Sequence, residues 1–347
     1  MVPDVPRLTS IAHSSPSIDA SDHRAVAEVL AGGMIARGAE VAAFEREMGE
    51  CLGLTPGVAT SSGTRALYCS LRALGIGSGD EVVIPTYVCR AVWNAVAATG
   101  ATPCLCDVGD DWCITADTVL AARSARTRAV VVVHTFGIPA DRDIAARVGV
   151  PVIDDCCQAI GLPAAARAGT VCVVSFHATK MMTTAEGGMV LTADPSLAER
   201  VREIAATERD QLSDLQAALG RSQLRRYGAF LSRRQALAER YCEELAALAV
   251  VLPRRWLGES LFFRFPLRVN GDFERIRGEF AALGVQVRRG VDVLLHRTAG
   301  LEAARFPNAE RLFEETLSIP LYPALNDSEA ARVVAAAEKV LQPLGAR

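Results

Sequence analysis

Two lysines, Lys180 and Lys339, stand among 35 arginines in this 347-residue sequence. An arginine guanidinium keeps its proton in proteins, whereas a lysine amine can lose it and form a Schiff base with a carbonyl compound. Lys180 follows a short apolar run at residues 171–176, which makes it the candidate for such chemistry. Lys339 lies in an amphipathic pattern over residues 329–341, which predicts a C-terminal helix with this lysine on its surface.

Two carboxylates, Asp154 and Asp155, end another apolar run that begins at residue 151. An aspartate at this place could keep a heterocyclic nitrogen protonated, because a nearby negative charge favours the charged form of a base. The same residues could instead cap the end of a strand. The pattern on its own leaves both interpretations open.

Small polar residues, Ser61, Ser62, Gly63 and Thr64, precede a segment with helical apolar spacing. The N–H groups and the positive dipole end at the start of a helix suit a phosphate, although an ordinary N-cap has the same composition. Ser175 could add a hydrogen bond to such a phosphate. We interpret the nearby His177 as a packing or hydrogen-bonding residue, because Lys180 can itself carry a proton.

Taken together, these three features offer a phosphate site, an acid for a ring nitrogen and an amine for an aldehyde. Pyridoxal phosphate (PLP) has a phosphate, a ring nitrogen and an aldehyde, one for each of these features. The combination of the three features is more specific than any one of them. The residues therefore predict a PLP enzyme in which Lys180 binds the cofactor covalently. A nicotinamide-binding Rossmann enzyme is disfavoured, because no G-x-G-x-x-G pattern follows the first strand.

Short apolar segments alternate with helical ones through the first 190 residues, which indicates an α/β fold with a mainly parallel sheet. In such folds ligands bind at the carboxyl ends of strands and at helix N-termini, where all three features fall. Residues 22–50 have the spacing of helix. The predicted strands are residues 81–85, 103–108, 129–136, 151–155, 171–176 and 188–192.

The length exceeds what one hydrophobic core usually serves, so we expect two domains. Strand patterns give way to helical ones over residues 196–249 and then return near residue 262. We place a large cofactor-binding domain at residues 1–230, with the N-terminal segment included, and a small C-terminal domain at residues 231–347.

The composition is that of an ordinary globular protein, with 50% hydrophobic and 22% charged residues, a net charge of −3 and a pI near 6.0. This balance gives no reason to expect a nucleic-acid or membrane partner. Residues 1–6 lack the pattern of a signal peptide. The ten cysteines have no metal-binding spacing, so we expect no metal site and a reducing, cytoplasmic location.

The chain resembles the DegT/DnrJ/EryC1/StrS family of PLP-dependent sugar aminotransferases from about residue 15 to its C-terminus. The motifs that carry the resemblance occur in the family's order, at residues 62–67, 74–82, 153–159, 175–180, 186–188 and 213–220.

The resemblance implies a fold-type I PLP transferase, with a mainly parallel seven-stranded sheet, helices on both faces and a smaller C-terminal α/β domain. It implies a homodimer with shared active sites. It also implies transfer of an amino group from glutamate or glutamine to a keto sugar, cyclitol or related molecule. By the same resemblance, Lys180 binds the cofactor, Asp155 pairs with its pyridinium nitrogen, Gln158 lies near its ring, and the phosphate is bound by Gly63, Thr64 and Ser175.

Some positions depart from the family pattern. Cys89 stands where the family often has an aromatic residue that stacks on the cofactor, and Tyr87 could replace it. Arg209 lies near a position where the family has an asparagine that reaches the partner's phosphate, in a shorter loop, and residues 161–171 are shortened too. These changes motivate an alternative, a PLP enzyme of elimination, substitution or cyclisation. A silent regulatory relative is disfavoured, because Asp155 and Lys180 are both present.

Overall fold

The structure, a computed structural model, describes residues 10–162 and 171–342. The segment that lacks a signal-peptide pattern, residues 1–6, lies outside these ranges, as does most of the shortened stretch at 161–171. Within the described ranges, no helix combines the length and the apolar character needed to cross a bilayer.

A seven-stranded sheet forms the centre of the larger part of the molecule, in the order β3-β2-β4-β5-β6-β7-β1. The first five of these strands run parallel, and β7 is antiparallel to both β6 and β1. The strands are β1 (Val58–Thr60), β2 (Glu81–Pro85), β3 (Thr102–Cys106), β4 (Thr127–Val133), β5 (Val152–Asp155), β6 (Val171–Ser175) and β7 (Gly188–Leu191). The prediction of a mainly parallel seven-stranded sheet is confirmed; β1, three residues long, was too short to show a pattern.

Both faces of this sheet are buried, which explains why its strands are almost wholly apolar. Side chains alternate along β6, so that Val173 packs into one apolar cluster and Val174 into another. Leu67 and Leu197 cover the first face, and Phe44 belongs to the helices on the second. Helices therefore lie on both faces, as expected.

The helices of this part are α1 (Ala20–Gly32), α2 (Ala39–Leu52), α3 (Gly63–Ala73), α4 (Arg90–Ala98), α5 (Ala116–Ala122), α6 (Ile144–Val148), α7 (Pro195–Thr207) and α8 (Asp214–Arg225). The helical pattern predicted over residues 22–50 forms two helices, α1 and α2, with a break at residues 33–38. Gly33 ends α1 in the left-handed region (φ 77°), with its N–H donated to the carbonyls of Val29 and Leu30. A glycine adopts this backbone without a steric penalty and so closes the helix.

A second apolar cluster surrounds an antiparallel pair of strands, β8 (Phe265–Arg268) and β9 (Thr316–Ile319). The helices of this region are α9 (Tyr227–Glu244), α10 (Phe273–Ala282), α11 (Leu295–Thr298), α12 (Pro307–Glu315) and α13 (Asp327–Leu341). Lys339 is exposed in the last turn of α13, as predicted.

The domain limits stay a prediction, but three packing arrangements bear on them. Helix α9 bridges the two parts, because Phe230 packs with the large sheet and Leu237 with the second cluster. Ile11 joins the second cluster and donates its N–H to the Gly284 carbonyl at 2.8 Å. Leu312, late in the chain, packs against the large sheet. The chain therefore crosses between the two cores more than once.

Candidate active site

Three parallel strands and the start of α3 meet around a cavity of about 380 Å³ at the carboxyl edge of the sheet. Val133, Asp155 and Ser175, which line it, are the last residues of β4, β5 and β6. The seven residues that the sequence analysis places around the cofactor all lie in its wall: Gly63, Thr64, Cys89, Asp155, Gln158, Ser175 and Lys180. They come from separate segments, and the parallel sheet brings their strand ends to one edge.

The start of α3 forms one end of this cavity. Ser62 caps the helix and its hydroxyl accepts the N–H of Arg65 at 3.2 Å. A Cβ on Gly63 would lie 2.7 Å from the Cβ of Ser175 and 3.1 Å from the Sγ of Cys157. A side chain at this position would therefore fill the space between α3 and β6, and glycine keeps that space open for a ligand at the helix N-terminus.

Asp210 anchors the turn that leads into α3. This buried carboxylate accepts the N–H of Ser61 at 3.0 Å, the Ser61 hydroxyl, and Nε of Arg65 at 2.6 Å. Hydrogen bonds to a charged acceptor are stronger than neutral ones. Asp210 thus positions the candidate phosphate site without lining the cavity itself.

We expect Asp210→Asn to weaken the affinity for PLP roughly tenfold, because the neutral amide removes the negative charge that strengthens the hydrogen bonds to Ser61 and Arg65. At saturating PLP, kcat should stay within about threefold of the original value, since the variant leaves the groups in the cavity wall in place. Titration of apoprotein with PLP, followed by its absorbance, measures the affinity.

Glu208→Gln is the matched control for this variant. Glu208 also contacts Arg65 and accepts the Tyr68 hydroxyl at 2.8 Å, but it makes no hydrogen bond to Ser61. Equal losses of affinity in the two variants would show that the ion pair with Arg65, rather than the bonds to Ser61, maintains the site.

The two adjacent carboxylates at the end of β5 face opposite ways. Asp155 lines the cavity, and its Oδ1 accepts the N–H of Cys157 at 3.0 Å. Asp154 lies 3.2 Å from Nε2 of His134, whose Nδ1 accepts the N–H of Ala140 at 3.1 Å. His134 therefore carries its proton on Nε2 and donates it to Asp154. Only Asp155 is placed to meet a ring nitrogen in the cavity.

Lys180 lies in the turn after β6, where its N–H donates to the His177 carbonyl at 2.9 Å. Its Nζ is 5.3 Å from the centre of the Phe263 ring. Burial raises the pKa of the neighbouring Cys157 thiol well above its ordinary value, and the charge of Asp155 acts in the same direction. Cys157 therefore stays protonated near neutral pH and does not compete with the lysine amine as a nucleophile.

A second cavity of about 250 Å³ adjoins the first. Lys180, Cys89, Gln158 and His177 line both cavities. The second is further enclosed by Phe263, Arg264, Tyr87, Phe136 and the segment 290–293. Lys180 thus stands between two compartments, one with the features of a cofactor site and one open for a substrate.

Gln158 fixes a strained turn between the compartments. Its Oε1 accepts the N–H of Phe136 at 2.7 Å, and Phe136 adopts φ 61°, which is unusual for a bulky residue. Phe262 is also left-handed, with φ 46°. The Phe136 carbonyl accepts the N–H of Phe263 at 2.9 Å and ties the two segments together. Strain of this kind concentrates at functional sites.

The departures from the family pattern lie at the same place. Cys89 is exposed in the walls of both cavities, whereas Tyr87 is fully buried and lines only the second. Tyr87 is therefore not placed to stack on a ring held between Asp155 and α3. His177 is exposed and accepts the N–H of Thr179 at 3.4 Å, so it is a hydrogen-bonding residue rather than a packing one.

Sequence reasoning missed Asp210, Phe263, Arg264 and Gly290. Arg264 had a detectable signal, since it is a charged residue inside the aromatic run 262–265. The others had none, because their roles arise from contacts between segments far apart in the chain.

The residues in the first cavity fit PLP. Gly63 leaves space at a helix N-terminus for a phosphate, Asp155 offers a carboxylate for the ring nitrogen, and Lys180 offers an amine for the aldehyde. Among the residues that the structure describes, no group of His, Cys, Asp and Glu is arranged to hold a metal ion.

Comparison with known proteins agrees with this interpretation. The model of the DegT/DnrJ/EryC1/StrS aminotransferase family matches residues 16–338. One curated relative is UDP-N-acetyl-3-dehydro-alpha-D-glucosamine 3-aminotransferase of Acidithiobacillus ferrooxidans. It is 30% identical in an alignment of 363 positions that covers 97% of this chain and 98% of the relative.

Two solved structures are similar over almost the whole chain. The aminotransferase TlmJ from Streptoalloteichus hindustanus has a TM-score of 0.91 and 33% identity, covering 96% of this chain and 100% of its own. DesV of S. venezuelae, solved in complex with a ketimine intermediate, has a TM-score of 0.85 and 31% identity. The match covers 94% of this chain and 98% of DesV.

Proposed function

The chain belongs to the DegT/DnrJ/EryC1/StrS aminotransferase family, and on this basis we propose that it moves an amino group from glutamate, glutamine or a similar donor to a keto sugar, cyclitol or related small molecule. As a member of this family it is a PLP-dependent aminotransferase with a fold-type I architecture. The observation that carries the proposal is that Lys180, Asp155 and the Gly63 turn share one cavity, with a second cavity beside Lys180.

We assign roles to the residues of the first cavity. PLP, when bound, supplies an aldehyde that accepts the amino group and a ring that takes up electrons from the substrate. Lys180 would bind the cofactor covalently, and its amine would move the substrate proton. Asp155 keeps the ring nitrogen protonated. Gly63, Thr64 and Ser175 hold the phosphate, while Gln158 and Cys89 border the ring.

The nature of the acceptor is supported by the relatives. The curated relative is named for amination of a keto sugar attached to UDP. A biosynthetic role follows from such a reaction.

The test is the visible absorption spectrum of the PLP-loaded protein before and after addition of glutamate, glutamine or alanine. We expect the band of lysine-bound PLP to be replaced by that of pyridoxamine phosphate. A band that no amino donor changes would reject amino transfer while leaving the cofactor assignment intact.

That second outcome would favour the alternative reaction class, elimination, substitution or cyclisation. One observation supports this alternative: Cys89, which stands where the family often has an aromatic residue, lines the first cavity beside the buried Val88 and Val92. Formation of pyridoxamine phosphate in an amount equal to the enzyme would reject it.

We further propose a cytoplasmic homodimer with shared sites. Three large apolar residues near the end of α1 are exposed, Leu30 at 57%, Met34 at 74% and Ile35 at 47%, as expected of a subunit interface. Arg209, exposed and left-handed at φ 54°, lies next to Asp210 and the phosphate turn. All ten cysteines are unpaired, which suits a reducing compartment. Sedimentation equilibrium would reject the dimer if the active species had the mass of one chain.

A further inference from the structure

The wall of the second cavity carries an arginine with no acidic partner. Arg264 donates from one terminal nitrogen, Nη1, to the carbonyls of Gly290 at 2.9 Å and Arg289 at 3.3 Å. Within residues 10–162 and 171–342, no carboxylate forms an ion pair with it. Since a guanidinium has five N–H donors, most of its hydrogen-bonding capacity remains for a ligand.

One cation, Arg288, and one anion, Asp292, lie near Arg264. Burial lowers the pKa of Arg264, and the nearby guanidinium of Arg288 lowers it further, while Asp292 acts in the opposite direction. Arg288 and Asp292 are both exposed, so solvent screens both charges. The partly buried guanidinium of Arg264, which has no buried counter-ion, therefore makes this side of the cavity a favourable place for an anion.

Arg264 also stands at a useful position relative to Lys180. Its Cζ lies 5.6 Å from the centre of the Phe263 ring, and Nζ of Lys180 lies 5.3 Å from the same centre. One small molecule could therefore place an anionic group on Arg264 and its reacting carbon near Lys180. The cavity of about 250 Å³ is below the usual range for drug-sized ligands and suits a molecule of amino-acid size.

The backbone around Arg264 is held rigidly. Arg234, almost fully buried, donates to the carbonyls of Phe262 at 3.0 Å, Phe263 at 3.1 Å and Leu321 at 3.2 Å. Because these bonds fix the segment that precedes Arg264, its guanidinium is positioned before a ligand arrives, which lowers the entropic cost of binding.

We propose that Arg264 binds the α-carboxylate of the amino donor, and of the oxo acid formed from it, and thereby restricts donors to α-amino acids. The planar fork of a guanidinium matches a carboxylate through two parallel hydrogen bonds. This inference rests on the proposed function, because it concerns the substrate of the same site.

The experiment compares L-glutamine with its α-amide, L-glutaminamide, as donors to the PLP-loaded enzyme. We expect kcat/KM for glutamine to fall about 10- to 100-fold in Arg264→Gln, as for the loss of a hydrogen bond between charged groups. For the amide, kcat/KM should change less than about threefold, so the variant should lose the preference for a donor with an α-carboxylate. Arg264→Lys keeps the charge without the planar fork, and its kcat/KM for glutamine should lie between those of the original enzyme and Arg264→Gln.

Arg128→Gln is the matched control. It removes one arginine charge at the start of β4, five residues and about 16 Å from Val133 at the cavity. It should leave both donors unaffected.

A second measurement does not depend on turnover. Calorimetric titration with glutarate, a dicarboxylate without an amine, should show binding to the original enzyme, at least tenfold weaker binding to Arg264→Gln, and unchanged binding to Arg128→Gln. If Arg264→Gln does not fold, Arg264→Lys and Arg288→Gln take its place, and both should bind glutarate more weakly.

Equal losses for glutamine and its amide would overturn the inference, because they would indicate that Arg264 only supports the segment at Gly290. A loss confined to the half-reaction with the keto acceptor would overturn it too. If no donor converts the cofactor, the proposed function fails, and glutarate binding still reports on Arg264 alone. If donors convert the cofactor but Arg264→Gln behaves like Arg128→Gln, the inference alone fails.

Discussion

Lys180→Ala is expected to abolish covalent attachment of PLP and to reduce kcat by more than about 10⁴-fold, the upper range for a general acid–base group. The proposed lysine has two roles, binding the cofactor and moving the substrate proton, and alanine can perform neither. The fold should survive, because Lys180 lies in the turn after β6 and is only partly buried. Borohydride reduction of the PLP-loaded protein, followed by mass spectrometry, measures the attachment.

The chain offers a matched control for this variant. Lys339 is the other lysine of the sequence and is exposed on α13. Lys339→Ala should retain the reducible attachment and full activity. An attachment that persists in Lys180→Ala and disappears in Lys339→Ala would reverse the assignment, and one that persists in both would place the cofactor on neither side chain.

Asp155→Asn should reduce kcat by about 10³-fold or more, because it replaces the negative charge that would keep the ring nitrogen protonated with a neutral amide of the same shape. Binding of PLP should weaken much less, since the phosphate and the lysine contribute most of the attachment. The variant should keep its stability, because the amide oxygen can still accept the N–H of Cys157. Stopped-flow absorbance of the half-reaction with glutamine measures the effect on the chemical step.

Asp154→Asn is the neighbouring control. Its side chain faces His134 on the other side of β5, and the asparagine oxygen can still accept the proton on Nε2. We expect kcat to remain within about threefold and any effect to fall on the free energy of unfolding. If Asp154→Asn were the slower enzyme, the roles assigned to the two carboxylates would have to be exchanged.

The sequence by itself determined the chemistry and the class of fold. The scarcity of lysine singled out Lys180, and alternating apolar and helical segments indicated a parallel sheet with ligands at its carboxyl edge. These features are local or periodic, so they can be recognised without knowing which segments come together. The ends of helices were predicted less accurately, as the break after α1 at Gly33 shows, because the apolar spacing continues across a short turn.

The residue pattern did not say which of two adjacent carboxylates faces the cavity, because side chains alternate along a strand and either face of β5 could meet the site. The family resemblance assigned Asp155, and the tertiary structure shows Asp155 in the cavity wall and Asp154 beside His134. Only the tertiary structure also revealed Asp210, which accepts the N–H of Ser61, and Arg264, which lies near the same Phe263 ring as Lys180. Their positions depend on packing between segments separated by more than 80 residues, and no local pattern records such contacts.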